Sequence, residues 1–319
     1  MTDCRKIDVS SFDALAIHGL TEVAVAVGVF DGVHLGHQAL LAALREISSQ
    51  VSAHPVAVTF HPHPRELLRP DSPPSLLLPP PVKSRLLHEY GAEAVLTIPF
   101  TPEFAALSPP EFLYDCLSSS RVKLKGLCVG SNWRFGWKGS GDCEFLREQA
   151  AAGGFAFRAV EEVSIGTQPV SSTNIRRAIA SGELGRAKAM LGRNYSLYGE
   201  IEHGRRIAGS VLSRPTANLK IRFGVLPPAG VYAGWAKFNG TRRKAAIVIG
   251  KSPTFKKDFG EQTRIELHVL DYDGDLYGCE MEAELVAYIR EERCFPGADE
   301  LKRQIEIDIA DILAALKGA

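Results

Sequence analysis

The 319-residue chain has no surplus of charge: 37 Lys and Arg balance 37 Asp and Glu. That balance excludes the broad basic field of a nucleic-acid binder and the acidic excess of a disordered tail. No apolar run approaches the roughly 20 residues of a membrane helix. The N-terminus carries acids and no long apolar core of a secretory signal. Six cysteines, at positions 4, 116, 128, 143, 279 and 294, form no Cys-x-x-Cys pair. Neither a zinc ribbon nor a disulfide framework is therefore supported. These absences predict a soluble cytoplasmic protein with no nucleic-acid or membrane partner. The length holds one large or two ordinary domains, and no oligomeric state can be read from it.

What is present begins with Gly28-Val29-Phe30-Asp31-Gly32-Val33-His34-Leu35-Gly36-His37. It follows the valine-rich run Val23 to Val27, which fits a strand buried on both faces. It precedes Gln38 to Ile47, where Leu40, Leu41, Leu44 and Ile47 repeat at helical spacing. The stretch is therefore a strand-to-helix turn of a parallel α/β domain, where backbone N–H groups and the helix dipole favour an anion. His34 and His37, three apart, face one side of the first helical turn. Gly36 removes a side chain and opens the backbone to a ligand. An isolated His-x-x-His is more often surface or a zinc site; the order strand, glycine-rich turn, paired histidines and helix suits nucleotide phosphates instead.

Further strands are predicted at Pro55 to Phe60, Ala94 to Phe100, Gly126 to Gly130 and Ala156 to Val163. His61-Pro62-His63-Pro64 should form a rigid loop at a strand's C-terminal edge, where open α/β sheets bind ligands. Leu76 to Pro81 reads as a Pro-rich surface connector, and Pro110 to Leu117 as a short helix. Ser131 to Asp142, with Asn132, Trp133 and Phe135 among glycines, reads either as an exposed loop or as a flexible segment closing over a ring. Ser171, Ser172 and Thr173 suit helix capping. Arg176, a cation near the helix start, opposes the dipole, and a phosphate partner would explain it. A last helix of this half runs from Ser181 to Leu191 and ends at Gly192.

From Tyr195 the pattern changes. Strands are predicted at Ser196 to Glu202, Ala217 to Arg222, Gly230 to Phe238, Ala245 to Gly250, Ile265 to Asp271 and Glu280 to Tyr288. Asn239-Gly240 is a hairpin signal. With one helix at Ala298 to Leu316, this half reads as an antiparallel barrel. The boundary is placed so that residues 1–192 and 193–319 form two domains. Ile249-Gly250-Lys251-Ser252 resembles the end of a P-loop, but Ala245 stands where its first glycine belongs and Pro253 follows, so that reading is rejected. Pro215-Thr216-Ala217-Asn218 is either a strand entry or, through the Thr hydroxyl and Asn carbonyl, a set of hard oxygen ligands for Mg²⁺ beside phosphates. Glu266, alternating with Ile265 and Leu267, faces the side opposite to them, where a carboxylate is ordinarily solvent-facing.

The first stretch resembles the His-x-Gly-His signature of nucleotidylyltransferases, and in its longer form the bacterial bifunctional riboflavin kinase/FAD synthetase family. Phe60 to Pro64, Ser131 to Gly136, Ser171 to Arg176, Pro215 to Asn218, Glu266 and Ile289-Arg290 to Phe295 match that family in order. The resemblance implies an N-terminal Rossmann-like nucleotidylyltransferase domain and a C-terminal riboflavin kinase barrel with a C-terminal helix. It implies riboflavin, FMN, FAD and ATP as small-molecule partners, with Mg²⁺. It assigns His34, His37, Arg176 and Glu266 to catalysis, Glu266 as the base for the riboflavin 5′-hydroxyl. It assigns Gly28, Phe30, Asp31, Gly32, Gly36, Asn132, Ser172, Thr173, Gly204, Gly209, Thr216 and Asn218 to nucleotide binding, the last two also to the metal. Phe60, Pro62, His63, Pro64, Phe135 and Arg290 fall to the flavin.

The chain departs from the family at Ser210, Ser213 and Arg214, where Arg, Gly and Phe are usual. The main expectation is phosphorylation of riboflavin to FMN and adenylylation of FMN to FAD. Beside it stand an FAD synthetase whose altered kinase domain only binds flavin, and a nucleotidylyltransferase for another substrate whose barrel is structural.

Overall fold

The computed structural model describes residues 6–202, 217–251 and 263–318. Its packing divides into two units. One holds the chain to Pro74 and Leu78–Ser172; the other holds Ser75–Leu77 and the chain from Thr173.

In the first unit six strands form a parallel sheet: β1 (Ile7–Val9), β2 (Glu22–Val27), β3 (His54–His61), β4 (Ala94–Pro99), β5 (Lys123–Gly130) and β6 (Ala156–Val160). Their order is β1-β4-β3-β2-β5-β6. β2 is central, and Val23 through Val27 are all buried, as an uninterrupted apolar run requires of a strand covered on both faces. Each fully buried valine or leucine contributes about 1.5–3 kcal/mol. One face is covered by α1 (Leu35–Gln50), whose Leu40, Leu41, Leu44 and Ile47 point into the core. β3 and β4 extend the sheet to one side of β2, whereas β5 and β6 extend it to the other. The crevice between the C-terminal ends of β2 and β5 is therefore the topological switch point, where such sheets take ligands.

Several local expectations are corrected. Pro64 does not stop helix formation; it occupies the first position of α2 (Pro64–Leu68), where its missing N–H costs nothing. Likewise Leu76 to Pro81 is not a surface connector. Leu77 and Leu78 are buried, and Pro80 starts α3 (Pro80–Glu89). After α4 (Pro102–Ala105), the expected helix at Pro110 is α5 (Pro109–Glu111), which widens into a single π turn over Phe112–Cys116. Ser131 to Asp142 carries hydrogen bonds of its own. Phe135 and Gly141 exchange two backbone hydrogen bonds of 3.1 and 2.9 Å, and Asp142 caps α6 (Cys143–Gly153). β6 ends at Val160, and a small hairpin of β7 (Ser164–Ile165) and β8 (Gln168–Pro169) follows it.

The second unit contains α7 (Ser172–Ala180) from Thr173, α8 (Leu184–Leu191), a closed barrel and α9 (Ala298–Ala315). The barrel strands are β9 (Tyr195–Glu202), β10 (Ala217–Phe223), β11 (Gly230–Phe238), β12 (Thr241–Lys251), β13 (Thr263–Val269) and β14 (Glu280–Arg290). They pair antiparallel in the order β10-β13-β12-β11-β14-β9. Alternation sets inside from outside. Leu219, Ala245, Ile247, Ile249, Ile265, Leu267, Tyr232 and Ala283 are buried on one face of their strands. On the other face, Val231 and Ala233 pack with Ile312 and Leu316, so α9 lies on the outside of the barrel. Gly250 sits within β12, in a strand and not in a phosphate-binding turn.

Candidate active sites

The turn after β2 leaves the strand abruptly. Phe30, Gly32 and Val33 all have positive φ, at 55°, 88° and 39°. For non-glycine residues such values cost on the order of 1–3 kcal/mol each and persist only where packing holds them. Here the Phe30 ring is fully buried and folds back over Gly28, where an added Cβ would lie 3.2 Å from it. His34 is the N-cap of α1, and its Nδ1 accepts from the His37 N–H at 3.4 Å. The His34 and His37 rings stack at 3.6 Å and 15°, and the Phe30 ring meets His37 edge-on at 5.2 Å. Gly36 leaves this stack uncrowded, since a Cβ there would come within 3.2 Å of the His34 ring, a tight contact that the ring would have to yield to. Two imidazoles are thus held in a column at the positive end of a sixteen-residue helix. Asp31 is buried, and its carbonyl accepts from the Ser172 hydroxyl at 2.8 Å, which ties Ser172 to the turn.

The residues assigned to the flavin fall into two groups. Phe60 and Phe135 are buried, 6% and 7% exposed. They lie in one row of aromatic rings that runs through Phe104 and Phe112, with Trp133 stacked on Phe135 at 4.5 Å. Pro62 is exposed and follows a cis peptide bond. His63 caps α2: its Nδ1 accepts from the Arg65 N–H at 3.0 Å while its own N–H donates to Glu66. Pro64 opens that helix, and Asn132 is exposed in the turn after β5.

Thr173 and Arg176 lie on α7 in the second unit. The Arg176 Nε donates to the Ser75 carbonyl at 2.7 Å, so a backbone oxygen is one partner of this cation.

In the barrel, Asn218 and Glu266 are direct cross-strand neighbours of β10 and β13, and Val248 of β12 flanks Glu266 on the other side. Directly opposed residues share a face, so Asn218 and Glu266 both point outward, opposite to buried Leu219 and Leu267. The Glu266 side chain is 17% exposed and lies 3.5 Å from the Arg264 guanidinium, which also reaches Glu292 at 3.0 Å. Arg290 makes a bidentate pair with Asp308 of α9, both contacts 2.7 Å, and donates to the Glu291 carbonyl. Gly204, Gly209, Thr216 and the 210–214 loop lie outside the described residues.

Against known families, the FAD synthetase model matches residues 17–174 and the riboflavin kinase model residues 191–316. The bifunctional riboflavin kinase/FMN adenylyltransferase of Escherichia coli (strain K12) is 35% identical over 298 residues, covering 92% of this chain and 94% of the relative. The chain belongs to the bifunctional riboflavin kinase/FMN adenylyltransferase family.

The relative of that name in Bacillus subtilis (strain 168) is 32% identical, with 89% of each chain covered. A crystal structure titled "Macrolide-efflux Protein from Streptococcus pneumoniae" is also similar. It has a TM-score of 0.82 and 27% identity, over 96% of this chain and 97% of that one. No helix among the described residues is long and apolar enough to cross a membrane.

One residue beside the adenylyltransferase-type turn escaped the sequence reading. Lys83 of α3 carries an ammonium within 2.9 Å of the Thr59 hydroxyl, 3.3 Å of the Phe60 carbonyl and 3.4 Å of the Val29 carbonyl. Burial lowers its pKa to about 8, with Asp31 acting in the opposite sense. The available signal was its spacing: Lys83 lies three and four residues before buried Leu86 and Leu87, a cation on an apolar stripe.

Proposed function

We propose that this is the two-step flavin-cofactor enzyme of its family. The barrel transfers the γ-phosphate of ATP to riboflavin, and the α/β unit transfers AMP from ATP to FMN, releasing FAD and pyrophosphate. The carrying observation is that both family models match in order, one over each chemistry. Residues 1–192 and 193–319 are taken as the two functional domains, working in the cytoplasm on small molecules.

In the kinase step the nucleophile is a neutral hydroxyl, which must lose a proton as the phosphoryl group arrives. Glu266 supports that role as a part-buried carboxylate in register with Asn218. An Asn carbonyl oxygen beside a carboxylate suits a hard divalent cation, and Asn218 with Thr216 would hold Mg²⁺. Bound there, Mg²⁺ would offset charge on the ATP phosphates. In the adenylylation step the nucleophile is already an anionic phosphate, so alignment and charge neutralisation suffice. The stacked His34 and His37 at the α1 N-terminus suit the triphosphate, and Arg176 is assigned to the same charge. Gly28, Phe30, Asp31, Gly32 and Gly36 shape the turn, Ser172 fastens to it, and Asn132 and Thr173 complete the nucleotide set. Phe60 to Pro64, Phe135 and Arg290 remain the flavin assignments. The two aromatics contribute through the packed row rather than as exposed faces.

Incubating the pure protein with riboflavin, ATP and Mg²⁺ and separating the flavins tests the reading. FMN and then FAD are expected. Conversion of supplied FMN alone would reduce the barrel to a flavin-binding module. No flavin product at all would point to another nucleotidylyl acceptor.

A further inference from the structure

The parallel pairing of β2 with β3 ends at Val27 and Val58, and one more bond follows, from Gly28 N–H to the Val58 carbonyl at 3.0 Å. Beyond it the two chains diverge. One becomes the Phe30–His37 turn and the other the His61–Pro64 segment. Their carbonyls at Val29 and Phe60 then face a gap that no ladder bond spans. The Lys83 ammonium fills that gap with three donors for three acceptors: the Val29 carbonyl, the Phe60 carbonyl and the Thr59 hydroxyl. Thr59 is fully buried, and its hydroxyl donates in turn to the Val29 carbonyl at 3.0 Å.

We propose that Lys83 is a positioning residue for FMN adenylylation, pinning the histidine-bearing turn after β2 to the C-terminal end of β3. The inference rests on the adenylylation reading above and adds to it a residue that touches neither substrate. The Val29 carbonyl directly precedes Phe30, whose strained φ carries the ring that packs against His37. A shift of Val29 is therefore passed to the imidazole column. The Phe60 carbonyl directly precedes His61 and the segment assigned to the flavin. One ammonium thus fixes the separation of the two segments that would hold the two reacting phosphates. Misplacement of about 1 Å costs on the order of 10²-fold in rate. A lysine suits three acceptors converging from different directions; a planar guanidinium does not.

The test is Lys83→Met, which keeps the apolar stem and removes every donor. Both activities are measured in the wild type first. If the wild type forms no FAD from FMN, the adenylylation reading itself has failed. Given an active wild type, Lys83→Met is expected to lower adenylylation kcat by 10-fold to 100-fold. The KM for ATP should change less than threefold, and riboflavin phosphorylation should stay within twofold. Lys83→Arg should not restore the rate. A purely structural lysine would instead lower the folded fraction while each folded molecule kept its kcat, and that result overturns the proposal. If Lys83→Met does not fold, Thr59→Val removes the shared hydroxyl and leaves the lysine. A three- to tenfold fall in adenylylation kcat is then expected, and an unchanged kcat overturns the proposal.

Discussion

After β2 the chain leaves the regular lattice at once. Three positive-φ residues within a four-residue stretch, a ring folded over Gly28 and a stacked histidine pair make a shape that the backbone alone would not hold. On the barrel the opposite holds: Asn218 and Glu266 are ordinary strand residues, placed by register and alternation alone. The contrast teaches where tolerance lies. On the barrel face, replacing a side chain removes its chemistry and little else. In the turn, a replacement also disturbs the packing that holds its neighbours.

The sharpest break in this comparison is Glu266→Gln. It keeps size and register but cannot accept a proton, so riboflavin phosphorylation turnover should fall by about 10²- to 10⁴-fold. ATP binding to the barrel and FAD formation from FMN should persist. Stopped assays of each reaction check this, and unimpaired FMN formation would end the base assignment. Next comes His37→Ala, which removes one ring of the stack and a charge partner. FAD synthesis should drop about 10²-fold with the kinase within twofold. A parallel loss of both activities in folded protein would refute the separate-site reading.

Arg176→Lys should be milder. The charge stays but the guanidinium fork and its bond to the Ser75 carbonyl are lost. About a tenfold weaker use of ATP in adenylylation is expected, read from KM with the kinase as internal control.

The smallest effect concerns pH. Lys83 has a folded pKa of about 8, below its unfolded value, so between those values the unfolded chain binds more protons. Stability should therefore rise as pH climbs through 8. For this part-buried group the gain is about 1 kcal/mol from pH 8 to pH 9. Denaturant titrations of wild type and Lys83→Met at both pH values isolate it. Equal pH dependence in the two would show the ammonium to be ordinarily solvated.

Much of this architecture was legible because it is local. The valines of β2, the leucines of α1 and the alternation in β12 and β13 each announce their element within a few residues. The histidine pair was legible for the same reason: its stack is built from positions three apart. What escaped depends on distance along the chain. Lys83 meets Val29 across 54 residues and Thr59 across 24, and no window pattern encodes such a meeting. Pro79 and Pro80 compounded the miss, because proline both breaks helices and begins them. Ser131 to Asp142 looked mobile from its glycines. Gly136 in fact sits at φ 70° with Pro109 where its Cβ would be, so that glycine permits close packing. Arg290 looked available for a flavin, yet its partner Asp308 is 18 residues away on α9.

The closed ring of β9 to β14 has a consequence for how copies of this chain meet. Every barrel strand has a neighbour on both sides, with β10 and β13 joined among the described residues by two residue pairs, Ala217 with Leu267 and Asn218 with Glu266. The parallel sheet does have two open borders, β1 and β6. The first spans only Ile7–Val9. The second carries Arg158, paired with Glu46 at 2.5 Å, and runs directly into Glu161 and Glu162. Short length and charge are what discourage strand addition at a border. Both borders of the parallel sheet are thus guarded against extension by a second copy, β1 by its length and β6 by its charge.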